Sequence, residues 1–351
     1  MKFNKLNIEV FGTSHSDEIG INIAGLPINE KIDVALLQQF VNRRRAVNSA
    51  FSTSRIEQDK IVFVKGVEND IITGDITAII KNNNVRKKDY NNLKYIPRPS
   101  HADYSAMLKY GIEYDLSGGA EFSGRLTAPI CIAGGIAKQI LQKKGITVNS
   151  YISEIGGIKC LSYSDNNFTI KELEEVANKP VAVFNNEEKI ANIFNECNKN
   201  CDSVGGKIET VIKGVKGGIG GNLFSGVEGE LAYFLYAIPS VKAVEFGLGV
   251  DFASSFASKV NDCYRVENNK VKITSNNNGG LLGGITSGED ILARITLKPT
   301  PSIARVQKSV NLKTMENVDI KIDGRHDVCH TVRAVPVAEA VLALALIDLG
   351  V

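Results

Sequence analysis

Residues 128–144 restrict the fold of this chain more than any other segment. They are mostly apolar, and Gly145 follows them as a typical helix-ending residue. A long helix that is apolar on most of its sides is a buried helix. Four small residues within it would let neighbouring backbones approach closely: Ala133, Gly134, Gly135 and Ala137. We therefore expect a central helix over Ala128–Lys144.

Two further helices are indicated by their ends. Asp33 is a typical N-cap for a helix over residues 35–41, and three arginines at 43–45 fall in its last turn, where cations suit the negative helix end. Pro336 is expected to open a last helix that reaches Gly350, because proline is favoured in the first turn. That helix is too short and too charged to be expected to span a membrane.

Runs of alternating or β-branched residues predict strands around these helices. The runs are Leu6–Phe11, Ile61–Val67, Ile76–Ile80, Ile146–Ile152, Lys207–Val215, Arg294–Leu297 and Val318–Ile322. The alternation in Lys207–Lys213 predicts a strand with one face in water. Lys81–Lys94 and Asn185–Asn200, rich in Asn with Lys or Glu, are expected to be exposed and mobile. No linker is evident, so we expect one domain over residues 1–351.

The composition narrows the class of protein. Of the 351 residues, 43% are hydrophobic and 23% charged, and the net charge of +2 does not indicate a nucleic-acid or membrane partner. The N-terminus lacks the apolar run of a signal peptide, so we expect a soluble cytoplasmic protein. The six cysteines form no CxxC pair and there are only four histidines, so we expect free thiols and no metal site.

The histidines lie in short motifs of unusual composition. His15 lies in GTSHSDEIG, His101 in PRPSHADY, and two more flank Asp327 in GRHDVCH. A lone histidine is more often structural than catalytic. Loops, however, often carry function, and histidine is the side chain best suited to proton transfer near neutral pH. The loop histidines are therefore candidates for proton transfer.

Arginines and glycines accompany these motifs, and each group has two interpretations. Arg98 and Arg325 lie within three residues of a histidine, and the arginines together form either a solvated basic face or a pocket for a multiply charged anion. Residues 279–288 contain five glycines, which are typical of a phosphate-binding loop or of a tight β-hairpin. Their spacing matches neither a Walker loop nor a dinucleotide fingerprint.

Taken in order, these motifs resemble the successive signatures of one enzyme family, chorismate synthase. The matching segments are GTSHS, RRR, TSR, PRPSHADY, KYG, SGRLT, GGIAK, DSVGGKIE, GGLLGGITSGED, LKPTPS and GRHDVC with RAVPVAEA. They run from about residue 6 to residue 350. PRP-HAD and GRHD-C are individually distinctive, and so many segments in the correct order make coincidence a poor explanation.

The resemblance implies a fold, a reaction and a cofactor. The fold is of the α+β class, a β-α-β sandwich in which helices pack between antiparallel sheets, and the expected assembly is a homotetramer. The family reaction is the anti-1,4-elimination of phosphate from a small-molecule substrate, 5-enolpyruvylshikimate 3-phosphate, to give chorismate. It needs reduced FMN without net redox change, and NADPH is one candidate reductant of that flavin.

The resemblance also implies roles for individual residues. His15, supported by the Ser14 hydroxyl, keeps the reduced flavin correctly protonated, and His101 protonates the departing phosphate. Asp327 works with the flavin to remove the substrate proton, while Ser123 lies between flavin and substrate. The residues implied to clamp the substrate are Arg44, Arg45, Arg55, Arg98 and Arg125. Those implied to hold the flavin are Ser123, Gly283, Lys298, Pro299, Thr300, Pro301, Ser302 and Arg325, with Lys298 as the charge partner of its phosphate.

This chain departs from the family pattern at several of these motifs. Glu121 stands where the family has an arginine, and Ala50 stands at or near another family arginine. The other departures are Thr13, Ser16, Ala46, Val47, Ser100, Asn277, Asn278 and Pro301. They predict weaker binding of FMN and substrate, with the proton chemistry left intact.

Other function classes stay open. One is a divergent paralogue that binds a related phosphorylated anion without the family activity. Another is a flavin- or nicotinamide-dependent oxidoreductase, for which the chain lacks a dinucleotide fingerprint. A non-catalytic phosphoanion-binding protein would have no reason to keep His15, His101 and Asp327 together.

Overall fold

In a computed structural model, the chain is described over residues 5–45, 58–82, 94–322 and 327–351. In this described part the strands are β1 Asn7–Gly12, β2 Glu18–Ala24, β3 Val62–Glu68, β4 Ile71–Lys81, β5 Thr147–Ile155, β6 Ile158–Lys159, β7 Gly206–Lys213, β8 Val241–Phe246, β9 Tyr264–Glu267, β10 Lys270–Ile273, β11 Leu281–Leu282, β12 Ile285–Thr286, β13 Ile291–Leu297, β14 Val306–Asn311 and β15 Glu316–Lys321. The helices are α1 Val34–Asn42, α2 Asp103–Tyr110, α3 Thr127–Lys143, α4 Tyr163–Asn166, α5 Ile170–Ala177, α6 Glu187–Asn200, α7 Val227–Tyr236, α8 Ala257–Val260 and α9 Thr331–Leu349. Each predicted strand run is confirmed over most of its length.

The strands form two larger antiparallel sheets and three hairpins. The first sheet has the order β1-β2-β4-β3, and the second has the order β6-β5-β7-β13-β8. The hairpins are β9–β10, β11–β12 and β14–β15. Every neighbouring pair in the two larger sheets is antiparallel.

Helices α3 and α9 lie between the two larger sheets. Helix α3 packs on α1 and on strands β2 and β4, whereas α9 packs on β5 and β7. Ile132 and Ile136 of α3, like Leu342 and Leu346 of α9, have no exposed surface. One apolar core joins residues of both sheets to both helices. The predicted α+β fold, a β-α-β sandwich, is confirmed.

The central helix is confirmed to within one residue at each end, and its small residues have the predicted use. A Cβ atom built on Gly134 would lie 2.3 Å from the Cα of Ala340 on α9. One built on Gly135 would lie 2.5 Å from the Cδ1 of Leu37 on α1. These spacings leave no room for a larger residue, so the glycines allow α3 to touch both helices.

Two helix boundaries test the predictions from sequence. The Asp33 side chain caps α1 as predicted, because its Oδ1 accepts a hydrogen bond of 2.9 Å from the third helical amide. The arginines follow the helix instead of lying in its last turn, since α1 ends at Asn42. The predicted start of α9 at Pro336 is wrong, because the helix begins at Thr331. Burial of the extra turn outweighs the one hydrogen bond that this proline cannot donate.

The prediction that Lys207–Lys213 has one face in water is wrong. Glu209 and Thr210 lie on opposite faces of β7, and their exposed fractions are 1% and 2%. The Glu209 carboxylate accepts hydrogen bonds from the Tyr163 amide at 2.8 Å and from Arg294 Nη2 at 3.0 Å. The polar face of this strand is therefore buried and paired within the protein.

Asn185–Asn200 is mostly exposed, as predicted, but it forms regular structure. Most of it forms α6, and Ile190 and Phe194 on one face of this helix are buried. Two apolar side chains at i and i+4 are enough to anchor a helix whose other faces are polar. Of Lys81–Lys94, residues 83–93 lie outside the described residues.

Two further observations bear on the class of protein. Within the described ranges, no helix combines the length and the apolar character needed to cross a membrane. The six cysteines are free thiols, as predicted.

Candidate active site

A cavity of about 1000 Å³ opens where segments distant in sequence meet. Its walls come from residues 44–45 after α1, residues 98–102 and 118–127 before and at the start of α3, residues 237–242 between α7 and β8, residues 297–302 at the end of β13, and the start of α9. It gathers eleven of the predicted site residues: Arg44, Arg45, Arg98, His101, Ser123, Arg125, Lys298, Thr300, Pro301, Ser302 and Asp327.

His101 lies in the loop before α2 and faces the run that follows β13. Its Nε2 is 2.6 Å from the Oγ of Ser302, and the Lys298 ammonium donates to the carbonyl of Ser100 at 2.5 Å. Burial and the nearby Lys242 lower the pKa of Lys298. These two bonds hold a histidine and a lysine of different motifs on the same wall.

Arg98 braces that loop. Its Nε and Nη2 donate to the two carboxylate oxygens of Asp103 at 2.7 and 2.9 Å. Burial alone would raise the pKa of Asp103, but the bonds with Arg98 hold it below its usual value. Arg98 therefore lines the cavity with a guanidinium already engaged in a fork-to-fork ion pair.

A second cluster of charges lies at the other side, around a residue that sequence reasoning missed. Asp59 is 2% exposed and accepts from Arg125 Nη1 at 2.5 Å, with Arg44 Nη1 at 3.8 Å. Arg44 also donates from Nε to Thr127 Oγ1 at 2.6 Å. Burial, Arg333 and Arg125 lower the pKa of Arg44 to about 10. No motif marked Asp59, because only its position between two distant arginines gives it a role.

Asp327 faces the same space from the segment just before α9. Its Oδ2 accepts from Arg333 Nη1 at 2.8 Å, and Arg333 Nε donates to the carbonyl of Arg44 at 3.0 Å. Arg333 and His330 both line the cavity, but the family resemblance assigned no role to either residue. Their signal was present in the chain, since both lie within six residues of Asp327 on the first turns of one helix.

His15 and Ser14 lie directly behind the cavity wall. The Ser14 hydroxyl donates to the Gly118 carbonyl at 3.0 Å and lies 2.9 Å from His15 Nδ1. Because a hydroxyl has one proton, it accepts from the Nδ1–H of His15. Gly118 lines the cavity, and a Cβ there would lie 1.9 Å from His15 Cε1. This glycine permits the close contact.

The segment around Glu121, where the chain departs from the family pattern, also lines the cavity. Ser123 Oγ accepts from the Arg125 amide at 3.3 Å and so orders the turn that presents this arginine. Glu121 is exposed at the cavity wall. Burial and a hydrogen bond to Glu121 raise the pKa of Tyr114. The carboxylate thus lines a cavity rich in cations and forms a hydrogen bond with a tyrosine hydroxyl.

Some predicted residues are not brought to the cavity in this chain. Gly283 lies at the tip of the β11–β12 hairpin with a φ of +61°. Of the two interpretations of the glycine-rich segment, the tight β-hairpin is therefore the one that the structure shows. Asn277 and Asn278 bind the Asp262 carboxylate. Pro299 belongs to the run after β13 but is not among the lining residues. Arg55 and Arg325, with Ala50, lie outside the described residues.

The charges of the cavity wall favour anions. Among the described lining residues, seven are arginine or lysine and three are carboxylates. Cations concentrated in a partly closed cleft raise the local concentration of anionic ligands. Within it, His101 and Asp327 are candidates for giving and taking a proton.

Comparison with known proteins identifies the family. The family model described as Chorismate synthase matches residues 6–351. Chorismate synthases of Lancefieldella parvula and Methanobrevibacter smithii are 41% and 40% identical to this chain, with 98% and 97% of the chain and 94% and 93% of those proteins covered. A solved structure titled Crystal Structure of Chorismate Synthase has the same fold, with a TM-score of 0.75 at 23% identity over 98% of this chain and 91% of that one. The chain therefore belongs to the chorismate synthase family.

Proposed function

We propose that this chain converts 5-enolpyruvylshikimate 3-phosphate to chorismate by 1,4-elimination of phosphate, with reduced FMN bound beside the substrate. The observation that carries the proposal is the presence of His101 and Asp327 on the walls of one cationic cavity. Its volume of about 1000 Å³ is at the upper end of small-molecule sites, which suits two ligands bound together.

The substrate has a phosphate and two carboxylates, and the arginines of the cavity suit them. Arg44 is 4% exposed, and its Nη1 has no hydrogen-bond partner among the described residues. Burial together with the positive charge of Arg333 lowers its pKa, so an anion placed beside it would relieve an unfavourable field. We assign substrate binding to Arg44, Arg45 and Arg125, with Asp59 holding two of them in place.

The run that follows β13 fits a phosphorylated flavin. Lys298 offers a cation, and the hydroxyls of Thr300 and Ser302 lie on the same wall, with Ser123 also at the cavity. This set of one ammonium and several hydroxyls is the donor chemistry that a phosphate and a ring with oxygen acceptors require. When bound, reduced FMN supplies a transient electron to the substrate, and the fold supplies position and proton transfer.

His101 would give a proton to the departing phosphate. An imidazole donates a proton near neutral pH, and its bond to Ser302 Oγ fixes the ring plane against the cavity wall. Protonation lowers the charge that develops on the leaving oxygen, which the cations around it also stabilise.

Asp327 would take the substrate proton. Arg333 holds its Oδ2 at 2.8 Å and so fixes the orientation of the carboxylate. The same arginine bonds to the main chain of Arg44, and this contact ties the position of the base to that of the substrate clamp. His15, with its proton on Nδ1, would help to maintain the protonation of the ligand ring from its place behind Gly118.

We further propose a homotetramer. Large apolar side chains are exposed on the segments around α7, α8 and the β9–β10 hairpin. They are too numerous to be the isolated apolar residues of an ordinary surface. They include Leu223, Phe224, Phe256, Val266 and Val271, which are between 72% and 87% exposed. Light scattering that returned the 38.0 kDa mass of one chain would contradict this assembly.

The proposed function makes the redox state of the flavin decisive. Under anaerobic conditions, chorismate should form with reduced FMN and should not form with oxidised FMN, because only the reduced cofactor can supply an electron. Chorismate is measured by its absorbance after separation. Equal turnover with oxidised FMN, or with no flavin, would contradict the mechanism.

The position of Glu121 at the cavity wall predicts the effect of restoring positive charge there. Glu121→Arg should tighten the binding of FMN or of the substrate by roughly 3- to 10-fold at low salt. The gain should shrink at high salt, since Glu121 is exposed. Glu113→Arg is the matched control, because Glu113 is an exposed acid that does not line the cavity. Unchanged affinity for both ligands would show that Glu121 does not face them.

A further inference from the structure

His330 is a half-buried histidine of the cavity wall that the mechanism does not use. It directly precedes α9, and its carbonyl accepts hydrogen bonds from the amides of Arg333 and Ala334 at 3.1 Å each. Its ring Nδ1 lies 2.9 Å from Thr300 Oγ1. Its Nε2 is shielded from water and has no hydrogen-bond partner among the described residues. A buried nitrogen of this kind requires a partner that is not part of the described chain.

The surroundings of His330 make it a neutral donor and not a cation. Lys298, Arg333 and Asp327 are the charged groups that act on it. Burial, together with Lys298 and Arg333, lowers the pKa of His330 to about 4 against the opposing effect of Asp327. The Thr300 hydroxyl can donate to Nδ1 of a neutral imidazole, and the ring then carries its single proton on Nε2.

The groups around this nitrogen favour a phosphate as its partner. Lys298 lies on the same wall, Thr300 bonds directly to the ring, and the positive end of α9 begins at the next residue. A cation, a hydroxyl and a helix N-terminus together form a site for a phosphate oxygen.

We propose that His330 Nε2–H donates a hydrogen bond to the phosphate of the bound flavin. The proposal rests on the flavin-binding function proposed above. It makes His330 a specificity-determining residue, because it distinguishes a phosphorylated flavin from riboflavin. Thr300 then acts through His330, by fixing which ring nitrogen carries the proton.

Two substitutions separate the two ring nitrogens. Asparagine places its amide near the position of Nδ1, so His330→Asn keeps the bond to Thr300 and loses the Nε2 donor. Glutamine places its amide near the position of Nε2, so His330→Gln keeps the donor. Titration of flavin fluorescence with oxidised FMN should give a dissociation constant roughly tenfold higher for His330→Asn and nearly unchanged for His330→Gln.

Riboflavin and a neighbouring residue provide the controls. Riboflavin should bind the wild type and both variants with the same affinity, since it has no phosphate. Thr331→Val is the matched control, because Thr331 is the next residue, is fully buried and does not line the cavity. It should leave the affinity for FMN unchanged.

Three outcomes would overturn the proposal. The first is wild-type affinity for FMN in His330→Asn. The second is an equal loss of FMN and riboflavin binding in both variants, with a lower melting temperature, which would make His330 structural. If the wild type bound no flavin, the flavin function would fail by itself. Inorganic phosphate then tests the donor role. Phosphate should raise the melting temperature of the wild type more than that of His330→Asn. An equal increase in both proteins would contradict the proposal.

Discussion

Asp327→Asn is expected to lower turnover by about 10²- to 10⁴-fold while leaving the affinity for substrate nearly unchanged. Asparagine keeps the shape of the side chain and can still accept from Arg333, whose Nη1 lies 2.8 Å from Oδ2. It cannot take a proton at neutral pH. The loss should therefore appear in kcat and not in KM, measured by stopped-flow formation of chorismate with reduced flavin.

A matched ion pair elsewhere in the chain controls for structural effects. Asp202 bonds to Arg305 at the same distance of 2.8 Å, but both side chains are exposed and neither lines the cavity. Asp202→Asn should keep wild-type turnover. If Asp327→Asn also kept it, or if its melting temperature fell together with its activity, Asp327 would have no role in removing the proton.

Glu339→Gln is expected to lower the free energy of unfolding by about 3–5 kcal/mol. Glu339 has no exposed surface and accepts from Arg43 Nη2 at 2.7 Å, from the Ser150 amide at 3.1 Å and from Lys138. Removing its charge leaves two half-buried cations without their counter-ion. The ion pairs of Glu339 join the end of α1 to α3 and α9, so their loss should destabilise the whole core.

The same carboxylate predicts how stability depends on pH. Burial alone would raise the pKa of Glu339, but Arg43 and Lys138 lower it from 4.5 to about 2. A depressed pKa stabilises the folded chain above the unfolded value, and this contribution is lost as pH falls from 4.5 towards 2. The free energy of unfolding of the wild type should therefore exceed that of Glu339→Gln by less at pH 3 than at pH 7, as measured by chemical denaturation.

An exposed ion pair provides the control for this measurement. Lys171 and Glu175 form a pair at i and i+4 on α5, with side chains 85% and 64% exposed. Glu175→Gln should leave the unfolding transition unchanged, because exposed pairs contribute little. An equal effect of both substitutions would contradict the account of the buried cluster.

Local signals in the sequence were sufficient for much of the fold. The Asp33 cap and the small residues of α3 act as their chemistry predicts. The solvated face assigned to β7 was wrong because Glu209 is paired by Tyr163 and Arg294, both distant in the chain. Alternation in one strand gives the period of its side chains but not what covers each face.

The candidate site was likewise only partly predictable from the sequence. Family motifs pointed to His101 and Asp327, which both line the cavity, and to His15, which lies behind its wall. They did not give Asp59 or the ring contacts of His330, because these depend on neighbours far away in the sequence. The contact between Thr300 and His330 joins the run after β13 to the residue before α9, which no motif encodes.

The most direct test of the central claim is the stoichiometry of one anaerobic reaction. The protein is mixed with reduced FMN and 5-enolpyruvylshikimate 3-phosphate, and chorismate, inorganic phosphate and flavin absorbance are followed together. Because an elimination has no net redox change, the account predicts equal amounts of chorismate and phosphate, with the flavin still reduced at the end. Phosphate released without chorismate, or flavin oxidised in proportion to product, would contradict it.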